Sequence, residues 1–98
     1  MKIYKLNSPN FDDLKRPINV VKVLVIHYTG MQSESESLAR LCNLKSKVSA
    51  HFLITRKGQI YRLVSENRIA WHAGKSCWGK YKNLNKNSIG IELVNKGH

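Results

Sequence analysis

Ninety-eight residues allow one small domain and not two. Seventeen Lys and Arg against six Asp and Glu give a net charge of +11 and a pI near 10.0. That balance admits nucleic acid, anionic lipid or an acidic wall polymer as partner, or simply a face of solvated lysines. No apolar run approaches membrane-spanning length, so no membrane span is expected.

The first 19 residues read as an extended arm ahead of a sheet core and cleft over residues 20–98. Asn7, Ser8, Pro9 and Asn10 form turns readily, and Pro17 disfavours helix at Arg16. The arm has neither the apolar stretch nor the small-residue cleavage site of a secretory leader. A cytoplasmic location is therefore the expectation, with the periplasm or cell envelope as the alternative. Cys42 and Cys77 form no CxxC pair, and a reduced state is the default without a leader.

Val20–Tyr28, VVKVLVIHY, is dense in β-branched residues and predicts a buried strand ended by Thr29-Gly30. Alternation puts Val23, Val25 and His27 on one face. The stretch MQSESESLARLCNLKSK predicts a helix. Ser33 and Glu36 make a capping box, and Leu38, Leu41 and Cys42 share the core side.

HFLITRKGQIYRLV predicts a β-hairpin turning at Lys57-Gly58. Glu66 to Asn87 reads as loop, with both tryptophans, Trp71 and Trp78, within it. From Asn67 to Ile91 there is no acidic residue, whereas Arg68, Lys75, Lys80, Lys82 and Lys86 all occur. SIGIELV, from Ser88 to Val94, predicts the last strand, with Gly90 and Glu92 on one face. Together these elements predict an α/β domain: a mixed central β-sheet with flanking helices.

His27 and Glu92 both fall at or near the carboxyl ends of apolar strands. A glutamate between Ile91 and Leu93 is costly unless it is paired or functional. Each has a plain alternative, a satisfied structural histidine and an ion pair to one of the lysines. The four histidines show no HExxH or finger spacing, so a metal site would have to be assembled from distant segments. A catalytic zinc takes about three protein ligands and leaves a position for water. His27 can supply one.

Five stretches in order, SPNFDDLKRP, VLVIHYTG, VSAHFLITRKGQIYRLV, AWHAGKS and NSIGIELVNKGH, resemble the zinc-dependent N-acetylmuramoyl-L-alanine amidase family. They cover most of the chain from Ser8 onward, and the flavour is that of the bacterial anhydromuropeptide branch. The resemblance implies a single amidase-like domain with Zn2+ as cofactor. It implies peptidoglycan or muropeptide fragments as partners and hydrolysis of the amide between N-acetylmuramic acid and L-alanine. It implies that His27 is a zinc ligand, that Glu92 is the catalytic acidic residue, and that His72 of AWHAG lines the substrate cleft. Trp71 and Lys75 join His72 as expected substrate-binding residues, Lys75 through a positive rim that attracts stem-peptide carboxylates. His51 is expected to be structural. Ala50 stands where the phage branch places a catalytic tyrosine, which argues against tyrosine assistance here.

The family's second zinc histidine and its third ligand belong to a later segment. The domain therefore reads as incomplete at its C-terminus, and that remaining segment, in this chain or a separate one, is an expected partner. Two other readings remain. One is a non-catalytic peptidoglycan-binding module of the same fold. The other is a small basic nucleic-acid-binding domain, although no helix concentrates the lysines and no nucleic-acid motif occurs. No nucleic-acid partner is expected.

Overall fold

The computed structural model describes residues 2–31, 33–73 and 83–95. Its strands are β1 (Ile3–Lys5), β2 (Phe11–Lys15), β3 (Val23–Tyr28), β4 (Phe52–Ile54), β5 (Ile60–Arg62), β6 (Arg68–Ala70) and β7 (Ser88–Leu93). Two helices, α1 (Glu34–Leu41) and α2 (Leu84–Asn87), complete the regular elements beside short 3-10 turns at 18–20 and 44–46. Five strands form one mixed sheet in the order β1-β5-β4-β7-β3, and β2 pairs with β6 in a separate antiparallel ribbon. The β1–β5, β4–β7 and β7–β3 pairs are parallel, whereas β4–β5 is antiparallel. The architecture is the mixed α/β sheet expected.

The hairpin forms where Lys57-Gly58 predicts it. Gly58 adopts φ +84°, and Thr55 closes the turn through backbone bonds with Gly58 and Gln59. The capping serine also acts as predicted, since Ser33 Oγ accepts the Glu36 N–H at 3.2 Å. The helix itself is shorter than the sequence pattern suggests. It stops at Leu41, and Lys47, in the left-handed region at φ 55°, ends the 3-10 turn that follows. Leu41 is buried in the core with Leu53, Leu63, Val64, Ala70 and Val94, and Leu38 and Cys42 pack against that cluster.

Three expectations need correction. The first strand starts at Val23, because Pro17 to Val21 turn in 3-10 fashion through Val20 N–H to Pro17 O and Val21 N–H to Ile18 O. It is also not buried on both faces. It pairs only with β7 among the described residues, and Leu24, Ile26 and Tyr28 are 60%, 56% and 56% exposed. A run of β-branched residues signals strand, but cannot tell one-sided from two-sided burial. Finally, the segment read as loop contains β6 and α2. Each is only three or four residues long, too short for periodicity to register.

The extended arm enters both sheets. β1 adds parallel to β5, and β2 adds to β6. Asn10 and Ser8 then tie the arm to the rest of the fold. Asn10 Nδ2 donates to the carbonyls of Asn43 and Val48, and Ser8 Oγ donates to that of Leu41.

Candidate functional site

Parallel pairing of β3 and β7 places His27 and Glu92 in register on neighbouring strands. Alternation makes the consequence definite. The faces of Val23, Val25 and His27 are half-buried, whereas those of Leu24, Ile26 and Tyr28 are exposed. His27, Glu92 and His72 line one pocket of about 190 Å³ together with Thr29, Arg40 and Ser49.

His72 reaches the pocket from the segment after β6, its ring packed closely against Gly90 of β7. A Cβ at position 90 would meet His72 Cγ at 2.4 Å. Glycine in a strand interior often marks such a close approach. The backbone N–H groups of His72 and Ala73 both donate to Asn85 Oδ1, which holds this segment against α2. His72 Nδ1 sits 3.1 Å from His27 Nε2, and His72 Nε2 sits 2.8 Å from Ser88 Oγ.

Beneath the pocket lies a fully buried polar layer. His51 is 0% exposed; its Nδ1 accepts the Gly90 N–H and its Nε2 meets the Arg68 carbonyl at 2.9 Å. Because Nδ1 accepts the Gly90 N–H it is bare, so the neutral ring carries its proton on Nε2 and donates it to the Arg68 carbonyl, with Arg16 Nη2 lying 3.2 Å from that same nitrogen. Arg16, 5% exposed, donates to the carbonyls of Glu66, Asn85, Lys86 and Ser88. It thereby binds the loop before β6, helix α2 and the start of β7 to one guanidinium. Sequence reasoning gave Arg16 no role beyond its place before Pro17, and nothing in its neighbourhood signals one.

Electrostatics follow from burial. Burial pushes the pKa of His27 down. His72 is pushed down to about 3 by burial first, then by His27, His51 and Arg16. Burial pushes the Glu92 carboxyl up, opposed in part by Arg40. Glu92 Oε2 is buried with no hydrogen-bond partner among the described residues. A pocket-lining carboxylate with a raised pKa and an unpartnered oxygen is suited to take and return a proton.

The other expected residues divide. Trp71 does not line this pocket; its indole N–H donates to Asp12 on β2 at 2.7 Å, and its backbone N–H donates to Ser49 Oγ. Arg68 is held in the β2–β6 ribbon, its guanidinium bonded to the Asp13 carbonyl and set over the Phe11 ring. Lys75, Cys77, Trp78, Lys80, Lys82 and His98 lie outside the described residues. His51 is buried and fully bonded, as a structural residue would be. Among the described residues, no three His, Cys, Asp or Glu side chains cluster closely enough to hold a metal.

Residues 16–98 match the N-acetylmuramoyl-L-alanine amidase family. The chain belongs to that family. It is 46% identical over 84 residues to the N-acetylmuramoyl-L-alanine amidase AmiD of Escherichia coli, covering 79% of this chain and 29% of AmiD. It is 32% identical over 106 aligned positions to the 1,6-anhydro-N-acetylmuramyl-L-alanine amidase AmpD of Haemophilus influenzae, covering 91% of this chain and 57% of that protein. The chain thus spans about half or less of the length of these relatives.

Among solved structures, a selenomethionine AmpD derivative superposes with a TM-score of 0.78 at 28% identity, over 95% of this chain and 61% of that one. Escherichia coli AmiD, in complex with anhydro-N-acetylmuramic acid-L-Ala-D-γ-Glu-L-Lys, superposes at 0.71 and 41% identity, over 88% of this chain and 34% of that one. The amidase fold is therefore that of the described residues. Among them, no helix is long and apolar enough to cross a membrane.

Proposed function

We propose that the protein is a zinc-dependent amidase that cleaves the bond between N-acetylmuramic acid, or its anhydro form, and L-alanine of the stem peptide. The observation that carries this reading is the in-register pair His27 and Glu92, facing one pocket with His72. A histidine and a carboxylate with an unpartnered oxygen fit the donor and proton-transfer needs of a hydrolytic zinc centre. His27 is a neutral imidazole with no hydrogen bond to Nδ1 among the described residues, and neutral imidazole is a zinc ligand. When bound, zinc polarises a carbonyl and lowers the pKa of a bound water to about 7.

In this reading His27 holds the metal, and the remaining ligands come from outside the described residues. Glu92 accepts the proton of the attacking water and returns it to the leaving amine of L-alanine. Its raised pKa favours this exchange, since a base matched to the working pH gains in both directions. Arg40 lies on the pocket wall and keeps the carboxylate form accessible. His72 lines the same pocket, and Trp71 and Lys75 follow from the resemblance alone as further substrate-binding residues. Muropeptide fragments, as in the AmiD complex, are the substrate class that this reading favours, in a bacterial wall-degrading or recycling role.

A binder without catalysis has no use for a half-buried carboxylate whose buried, unpartnered oxygen costs desolvation. The test is direct. The intact protein, loaded with zinc, should release stem peptide from anhydro-N-acetylmuramyl peptide, and chelation should abolish release. Binding of the muropeptide without any cleavage, at full zinc occupancy, would establish the recognition-module reading instead.

A further inference from the structure

The pocket histidines are joined in a chain whose hydrogen positions can be deduced from its far end. Ser88 Oγ has one proton, and that proton goes to the Leu84 carbonyl, 2.5 Å away. Toward His72 the hydroxyl can therefore only accept. The 2.8 Å contact requires His72 Nε2 to carry its proton, and a neutral ring then leaves Nδ1 bare. His27 Nε2, 3.1 Å from that bare nitrogen, must donate to it. The neutral His27 ring is then left with a single bare nitrogen, Nδ1.

We propose that Leu84 O, Ser88, His72 and His27 form an orienting relay that fixes His27 as its Nε2–H tautomer, so that Nδ1 is the metal-binding nitrogen and His72 is a positioning residue rather than a contact to substrate. Both nitrogens of His72 are taken by this chain. Its ring is also locked in rotation, because it rests on Gly90 where any side chain would displace it. Ligating histidines generally donate their second ring N–H to an acceptor that sets tautomer and orientation. Here that acceptor is another imidazole, and its own tautomer is set by a serine buried to 0% exposure. The peptide cleft then has to draw its substrate contacts from other wall residues. This inference rests on the zinc reading of His27, but its hydrogen-bond part does not.

The test uses the intact protein with nitrogen-labelled histidine, assigned by single substitutions. In the metal-free protein, NMR should show His27 with Nε2 protonated and Nδ1 bare, and His72 with Nε2 protonated. On zinc addition only the His27 Nδ1 resonance of this pair should shift as a ligand. His72→Asn, which can offer an amide oxygen near the Nδ1 position, should hold zinc close to the wild type in chelator competition. His72→Leu should lose about 10–100-fold in affinity. Ser88→Ala, which leaves the ring in place, should give mixed His72 tautomers, and this arm keeps the test open if His72→Leu fails to fold. Ligation through His27 Nε2, or equal zinc affinity for Asn and Leu at position 72, overturns the proposal. The stated tautomers without any zinc uptake uphold the relay and overturn the zinc reading instead.

Discussion

His27 and Glu92 are direct neighbours across a parallel strand pair, one residue opposite the other on β3 and β7. They are 65 positions apart in the chain, and neither is near the other in any local motif. The parallel register brings them to one face, and the pocket follows from that.

Glu92→Gln keeps the volume and removes the base. Stem-peptide release should fall by roughly 10²–10⁴-fold, the usual worth of a general acid–base group, while zinc content stays near stoichiometric. Turnover by chromatography and metal content by atomic spectroscopy measure the two sides. Near-normal turnover would remove Glu92 from the chemistry.

His27→Ala should abolish tight zinc retention with little change in far-ultraviolet circular dichroism. The side chain lies on a half-buried edge strand rather than in the core cluster, so the fold does not depend on it. Full zinc retention by this variant would exclude His27 from the metal site.

Gly90→Ala should destabilise the protein by about 1–3 kcal/mol, the typical cost of overpacking. The new methyl would sit 2.4 Å from His72 Cγ, so the ring or strand has to shift. Urea unfolding measures the cost, and a midpoint equal to the wild type would show that the ring is not seated on β7. Loss of His72 position should also weaken zinc binding more than the stability change alone would.

Arg16→Met should cost about 3 kcal/mol or more. It strands the carbonyls of Glu66, Asn85, Lys86 and Ser88 at once, and hydrogen bonds to a charged group are worth about 1.5–3 kcal/mol each in such settings. Arg16→Lys should recover only part of this, because an ammonium cannot reproduce the planar fork. Urea midpoints for the two variants decide it.

Metal-free protein should lose stability as pH falls below about 6.5. His27, His51 and His72 all have folded pKa values pushed down, so the unfolded chain takes up protons that the folded one refuses. Their contribution is complete above the ordinary histidine range and is lost progressively as pH drops through it. Glu92 acts in the opposite sense: its raised folded pKa means that the folded state binds a proton first, which adds stability as pH falls. Three histidines outweigh one carboxyl, so the urea midpoint at pH 5.5 should lie below that at pH 7. A flat or rising midpoint would contradict the buried, neutral state of the histidine layer.

The strand carrying His27, the capped helix, the hairpin at Gly58 and the strand carrying Glu92 were legible in the sequence, because each is signalled by local chemistry. β-branched density, a serine three residues before a glutamate, and a glycine between two apolar runs act within a few residues of themselves. Gly90 was legible only as a residue sharing the strand face of Glu92. What the sequence could not show is which partner it admits. The seat of His72 on Gly90, the guanidinium of Arg16 among four carbonyls, and the Ser88 hydroxyl that sets a tautomer all join residues many positions apart.

The same division holds for the pair at the candidate site. Alternation by itself determined that His27 shares a face with Val25, and Glu92 with Gly90, because the side-chain period of a strand is local geometry. Only the tertiary structure decided that the two faces are one face. Parallel pairing in the observed register is a long-range choice, supported by core burial around Leu53 and Val94 and by the bonds of Arg16 to the Ser88 carbonyl and of the Gly90 N–H to His51, and no local pattern encodes it.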